Sequence, residues 1–313
     1  MNITRRLSAA RAACNLVLVV LLGGALDPDL AALRSADARL AGVAFRLQTA
    51  NAVLCSDARP LPAFTLQTIG QFPARDRPRV AAQLGLGDLP MVAAVAPDSA
   101  AARAGLKVGD SVVAVDGVAL GPTTASAGYA GLAAAADRIE LALTDRSAEL
   151  RLQDRVVQIT GDRGCPSRAE LVPGGFKATG ADGRYIQISE RMLRLAASDD
   201  ELAVVVAHEL AHNILKHRAR RTPSRESEFA ADWLGVWLVA RAGYDLAAVP
   251  RFWQRLQAQT DYGILSDGSH PSWKKRLAAI DRAIVEVERQ RAAGEPLMPS
   301  AEQQLTSQAQ IRR

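Results

Sequence analysis

Rings are scarce in this 313-residue chain: aromatic residues make up 4% of it and there are only four histidines. A core with so few rings has to be packed from small aliphatics, and alanine fills much of the 49% hydrophobic share. Cysteine is almost missing, with three residues and no C-x-x-C pair, which argues against a cysteine-built zinc site. Lysine is also rare, five of the 38 basic residues. No Lys/Arg block exceeds three residues and no aromatic ladder separates the cations, so the net charge of +5 does not make a nucleic-acid surface. A charged share of 23% is ordinary for a globular protein and excludes a disordered or collagen-like chain. No internal repeat occurs, and beyond residue 26 no apolar run approaches a membrane span.

What is present is unevenly placed. Arg5, Arg6 and Arg11 precede an uncharged run from Ala12 to Leu26 that ends on small residues and then Asp27. A positive start, an apolar middle and a small-residue exit read as a secretory signal peptide over residues 1–26, with a retained signal anchor as the alternative. As a helix the run spans only ~23 Å, short of the ~30 Å hydrocarbon core. The expectation is a periplasmic or secreted protein, touching a membrane only if that segment stays attached. Cys14 would leave with the signal. Cys55 and Cys165 then remain as an even pair in an oxidising compartment, and a disulfide between them is expected.

Asp29 to about Leu54 shows helical apolar spacing, and the Pro- and Arg-rich stretch Arg59 to Arg79 reads as a connector. From Val80 to Gln153 short Val-rich runs alternate with Gly and Asp turns. Leu84 to Leu120 contains a Gly-rich loop (Leu84-Gly85-Leu86-Gly87), a strand (Met91 to Val95), a short helix (Ser99 to Ala104), the turn Gly105 to Asp110 and a strand (Val112 to Val115). A second helix is expected at Thr123 to Ala136. This order resembles a PDZ domain of the bacterial protease type. The resemblance implies that the Gly-rich loop and the neighbouring strand edge hold a peptide C-terminus.

All four histidines lie beyond residue 200. Ser198 with Glu201 forms a capping box that starts a helix through LAVVVAHELAHNILKHRAR. Within it, His208-Glu209-Leu210-Ala211-His212 puts two imidazoles on one face, i and i+4, with Glu209 one position round and able to reach a water. A second helix, from Thr222-Pro223 to Gly243, carries Glu228 and Asp232 one turn apart. Glu228 would complete a His-His-Glu zinc site with a fourth position open, and Asp232 would take the remaining N–H of a ligating histidine. One Zn2+ per chain is expected. His217 falls about 140° round from His212 and reads as a surface or helix-end residue. Trp233, Trp237 and Trp253 read as core, and the last helix, Pro271 to Arg291, as a solvated face.

These residues, with Ser269-His270-Pro271 and Arg276, resemble the HtpX-like and CAAX-prenyl-protease-like gluzincin zinc metallopeptidases, most closely the periplasmic members that carry a PDZ domain. The resemblance implies an α+β fold: a mainly helical zincin-type domain with a small sheet, plus an inserted PDZ-like β-domain. The domains would be residues 27–79 (N-terminal helical part), 80–155 (PDZ-like), 156–293 (metallopeptidase) and 294–313 (polar tail). It also implies hydrolysis of protein or peptide substrates in quality control, with Glu209 as catalytic base. His270 either steadies the developing oxyanion or caps the helix at Pro271. Gly175-Phe176-Lys177-Ala178 departs from the family's N-A-x-A segment, which leaves substrate-edge contacts open. The rival reading is a PDZ-bearing chaperone or adaptor with a structural or idle zinc.

Overall fold

The computed structural model describes residues 28–122, 128–145, 147–217, 224–260 and 272–299. The apolar N-terminal segment, Thr222-Pro223 and His270-Pro271 lie outside the described residues, and so do the expectations placed on them. Helix α1 (Pro28–Ala50) starts with proline in its first turn, where a missing N–H costs nothing. Leu40, Val43, Ala44 and Leu47 recur at helical spacing and are buried. Asn51 ends the helix: its Nδ2 donates to Leu47 O at 2.8 Å and to Leu238 O at 3.1 Å, so the stop is also a tertiary anchor.

The stretch expected as a connector is structured. It holds β1 (Arg59–Leu61), β2 (Phe64–Gln67), a 3-10 turn (Ile69–Gln71) and α2 (Arg77–Leu84). Proline density misleads here, because Pro78 sits in the first turn of α2, where proline is tolerated. Gly85 closes α2 with φ +68°, a left-handed cap that suits glycine. The Gly-rich loop expected to line a peptide groove is therefore a helix stop.

The β-rich domain continues with β3 (Met91–Val95), α3 (Ala100–Arg103), β4 (Val112–Val115), β5 (Val118–Ala119), α4 (Gly128–Thr144), β6 (Ala148–Leu152) and β7 (Val156–Ile159). Ser99 caps α3 by accepting the Ala102 N–H at 3.1 Å. Strands β5-β4-β6-β7 form one antiparallel sheet, and β2 pairs antiparallel with β3. The other edge of β3 is also engaged: Val92 N–H donates to Asp110 O and Gly109 N–H to Val92 O. Helix α4 runs on to Thr144, past the expected end at Ala136, while residues 123–127 of that expectation lie outside the described residues. Val92, Leu106, Ile139, Leu143 and Leu150 sit in this domain's own core.

Strand β8 (Asp162–Gly164) returns antiparallel to β1, followed by β9 (Arg168–Val172), β10 (Gly180–Ala181) and β11 (Tyr185–Ser189) in the order β10-β11-β9. Among the described residues five helices follow: α5 (Glu190–Leu195), α6 (Asp199–Ile214), α7 (Arg225–Arg241), α8 (Ala248–Gln259) and α9 (Trp273–Ala292). Leu47, Ile188, Leu202, Leu210, Trp237, Phe252 and Ile280 belong to a second, larger core. Two cores, one β-rich and one helical, make the architecture α+β. A disulfide joins Cys55 to Cys165, with Cα atoms 5.5 Å apart, beside the β1–β8 pair that links the domains. Part of the expected loose tail is docked, since the Gln290 amide exchanges two hydrogen bonds with the Met298 backbone, 3.0 and 3.1 Å. No described helix is long and apolar enough to cross a membrane.

Candidate metal centre

Helix α6 is started by Ser198, whose Oγ accepts the Glu201 N–H at 3.3 Å. Glu201 reaches past the cap to accept the Ala197 N–H at 2.8 Å and the Arg255 guanidinium at 2.5 Å, which fixes the helix to α8. Helix α7 starts at Arg225, where Ser224 and Ser227 cap it reciprocally at 3.1 and 2.9 Å. The two helices pack along their buried middles, with Glu201 to Ala211 and Glu228 to Ala240 inaccessible throughout.

That packing brings three donors to one point. His208 and His212 turn their Nε2 atoms towards each other at 3.1 Å, and the Glu228 oxygens lie 3.6 Å from each. Burial opposes charge on His208, but Asp232 and Glu228 outweigh it and raise its pKa to about 10. Burial, and then the charge on His208, lowers His212 to about 3. Two imidazoles and a carboxylate converging in a buried pocket are the donor chemistry of a zinc site, and the residues present fit that ion.

The surrounding residues hold the donors in place. Asp232 Oδ1 lies 3.0 Å from His208 Nδ1, within ion-pair reach although the alignment falls short of a hydrogen bond. The Arg276 guanidinium grips Asp232 with two bonds of 2.6 and 2.7 Å, all of it buried. Burial alone would raise the Asp232 carboxyl, but Arg276 holds it below the ordinary carboxylate range. Trp253 and Trp273, themselves 5.9 Å apart, both lie against this guanidinium at 4.5 and 4.9 Å, and the His208 ring meets Trp253 at 5.3 Å. Trp253, expected as plain core, therefore borders the centre.

Glu209 is buried, and its charge acts on both His208 and Arg276. His217 departs from its expectation. Helix α6 stops at Ile214, and Lys216, at φ +55°, reverses the chain. The helical projection no longer applies, and His217 Nδ1 comes within 2.9 Å of His212 Nδ1. Asn213, directly after His212, accepts the Gly183 N–H at 2.7 Å and donates to Tyr185 O at 3.1 Å, which ties α6 to the small sheet. The Gly175–Ala178 stretch forms a 3-10 turn at the entry to β10.

Compared with known proteins, residues 91–143 match the PDZ domain family, and residues 175–223 and 221–284 match peptidase family M48. The mitochondrial metalloendopeptidase OMA1 of Schizosaccharomyces pombe is 25% identical to 34% of this chain, over 43% of its own length. The Saccharomyces cerevisiae protein of that name is 23% identical, covering 38% of this chain and 42% of itself. The Arabidopsis thaliana one is 31% identical, covering 28% and 25%. The chain spans less than half the length of each of these relatives.

Proposed function

We propose, from the matches of residues 175–284 to peptidase family M48 and of residues 91–143 to the PDZ domain family, that this chain is a zinc-dependent endopeptidase that hydrolyses peptide bonds of proteins. The observation that carries this reading is the convergence of His208, His212 and Glu228 in a buried pocket beside Glu209. Zinc held by these three residues would polarise a scissile carbonyl and acidify a water molecule. Glu209 accepts the proton of the attacking water and returns it to the departing amine. Asp232 orients His208, Arg276 fixes Asp232 and keeps it charged, and His217 steadies the far side of His212. Asn213 keeps the motif helix in register with the sheet beside which a substrate would lie.

The PDZ module serves as a substrate dock in this reading, and misfolded proteins with exposed segments are its natural clients. The N-terminal basic-then-apolar pattern and the Cys55–Cys165 disulfide support a periplasmic or secreted setting. Metal-dependent cleavage tests the function. Purified protein should contain about one zinc per chain and cleave casein, lose cleavage to a chelator and regain it with zinc. Metal-free protein that cleaves casein at the same rate would contradict the reading.

A further inference from the structure

A cluster of charged side chains joins the β-rich domain to the metal-bearing one, and the proposed chemistry does not use it. Glu140, Arg168, Arg184 and Tyr185 line a cavity of about 480 Å3 between the two domains. Arg168 opens β9, and its guanidinium donates to Glu140 at 2.5 Å and to Asp137 at 2.6 Å, two carboxylates on one face of α4. It also donates to the Tyr185 hydroxyl at 2.9 Å, and Arg184 reaches the same Asp137 carboxylate. The side chains of Arg168 and Glu140 are only 15% and 14% exposed, so solvent screens this pair far less than a surface one. At the start of α4, Tyr129 donates to Glu170 in the middle of β9.

The same two chain segments hold the helix of the metal ligands. Asn213, next to His212 and buried, donates to Ser167 Oγ at 3.0 Å and to Tyr185 O at 3.1 Å, and accepts the Gly183 N–H at 2.7 Å. Ser167 adjoins Arg168, and Gly183 and Tyr185 flank Arg184. The segments are themselves joined, the Arg168 N–H donating to Arg184 O at 2.9 Å. Residues 167–168 and 183–185 are thus gripped twice. Helix α4 of one domain holds them through side chains, and α6 of the other holds them largely through backbone.

We propose that Asp137 and Glu140, although they belong to the PDZ domain, are positioning residues of the peptidase. They set residues 167–168 and 183–185 against Asn213 and so fix the last turn of α6, where His212 stands. The proposal rests on the metallopeptidase reading. Helix ends fray unless something holds them, and the bonds of Asn213 are what ties this end to the sheet. Gln48 of α1 holds Ser167 O independently, at 2.5 Å. Removing the α4 carboxylates therefore loosens the segments without releasing them. The loss of turnover should stay below the ~10–100-fold expected for a direct partner of a metal ligand.

The test uses full-length, zinc-loaded protein and a short quenched peptide taken from the casein sequence. Asp137→Ala with Glu140→Ala should lower kcat by about three- to tenfold, leave KM within a factor of about two, and keep about one zinc per chain. Asp137→Asn with Glu140→Gln keeps acceptor oxygens in place and should lose less. Because the carboxylates act through Asn213, adding the alanine pair to Asn213→Ala should cost no more than about twofold beyond Asn213→Ala alone, whereas independent losses multiply. Backbone hydrogen exchange at the Gly183 amide should quicken in the alanine pair, a readout that needs no turnover. Three results would overturn the proposal: an unchanged kcat in the alanine pair, losses that multiply with Asn213→Ala, or a Gly183 amide as protected as in wild type. A wild-type protein that holds zinc and cuts nothing would instead contradict the metallopeptidase reading, and Gly183 exchange would still report on the grip of α4.

Discussion

In the metal centre each donor stands on a helix, within one turn of its partner or directly across a buried helix pair, and the ion pair behind it is closed to solvent. Along the cavity between the two domains, strands β2 and β9 come from residues about a hundred positions apart in the chain, are half-buried, and stand beside arginine–carboxylate pairs that are partly wet. Rigidity and access are divided between the two regions. A buried charge relay fixes geometry because any loosening leaves an unpaired charge in low dielectric.

The sharpest way to break this contrast is to remove the charge that the centre depends on. Arg276→Ala leaves the buried Asp232 carboxylate unpaired and should cost ~3–5 kcal/mol in urea unfolding. A variant as stable as wild type would show that the pair does not hold the centre. Replacing Cys55 and Cys165 together by serine comes next. Losing this cross-link, which encloses a separation of 110 residues, should cost ~2–4 kcal/mol. Zinc content in native buffer should be unchanged, because the bond sits at the domain neck and not at the donors; loss of zinc would erase the distinction between the regions. In chelator competition Asp232→Asn should weaken zinc binding by ~10–100-fold, through the loss of the charge facing His208. His217→Ala should weaken it less, by under about tenfold, since His217 meets His212 without a formal negative charge. If His217→Ala has the larger effect of the two, the roles of the two flanking partners are reversed.

The same division decides what can be read from sequence. His208 with His212, and Glu228 with Asp232, are neighbours through helical spacing alone, so their convergence needs only that two helices form and pack. Arg276 is different: the family resemblance marks it, but its bond to Asp232 spans 44 positions and no local pattern gives that partner. His217 escapes because a projection around an unbroken helix fails once Lys216 turns the chain back. Strands β1 and β2 escape because Pro60 and Pro62 read as turn residues, while tertiary pairing with β8 and β3 decides the outcome. The cavity between the domains depends on such pairings too, since β2 and β9 both line it.

The account turns on Glu209 acting on water while His208, His212 and Glu228 hold the metal. The direct test is zinc content and casein cleavage of wild type and Glu209→Gln, prepared side by side. The variant should keep about one zinc per chain and lose cleavage by ~10²–10⁴-fold. Cleavage at the wild-type rate, or loss of zinc with the glutamate, would contradict it.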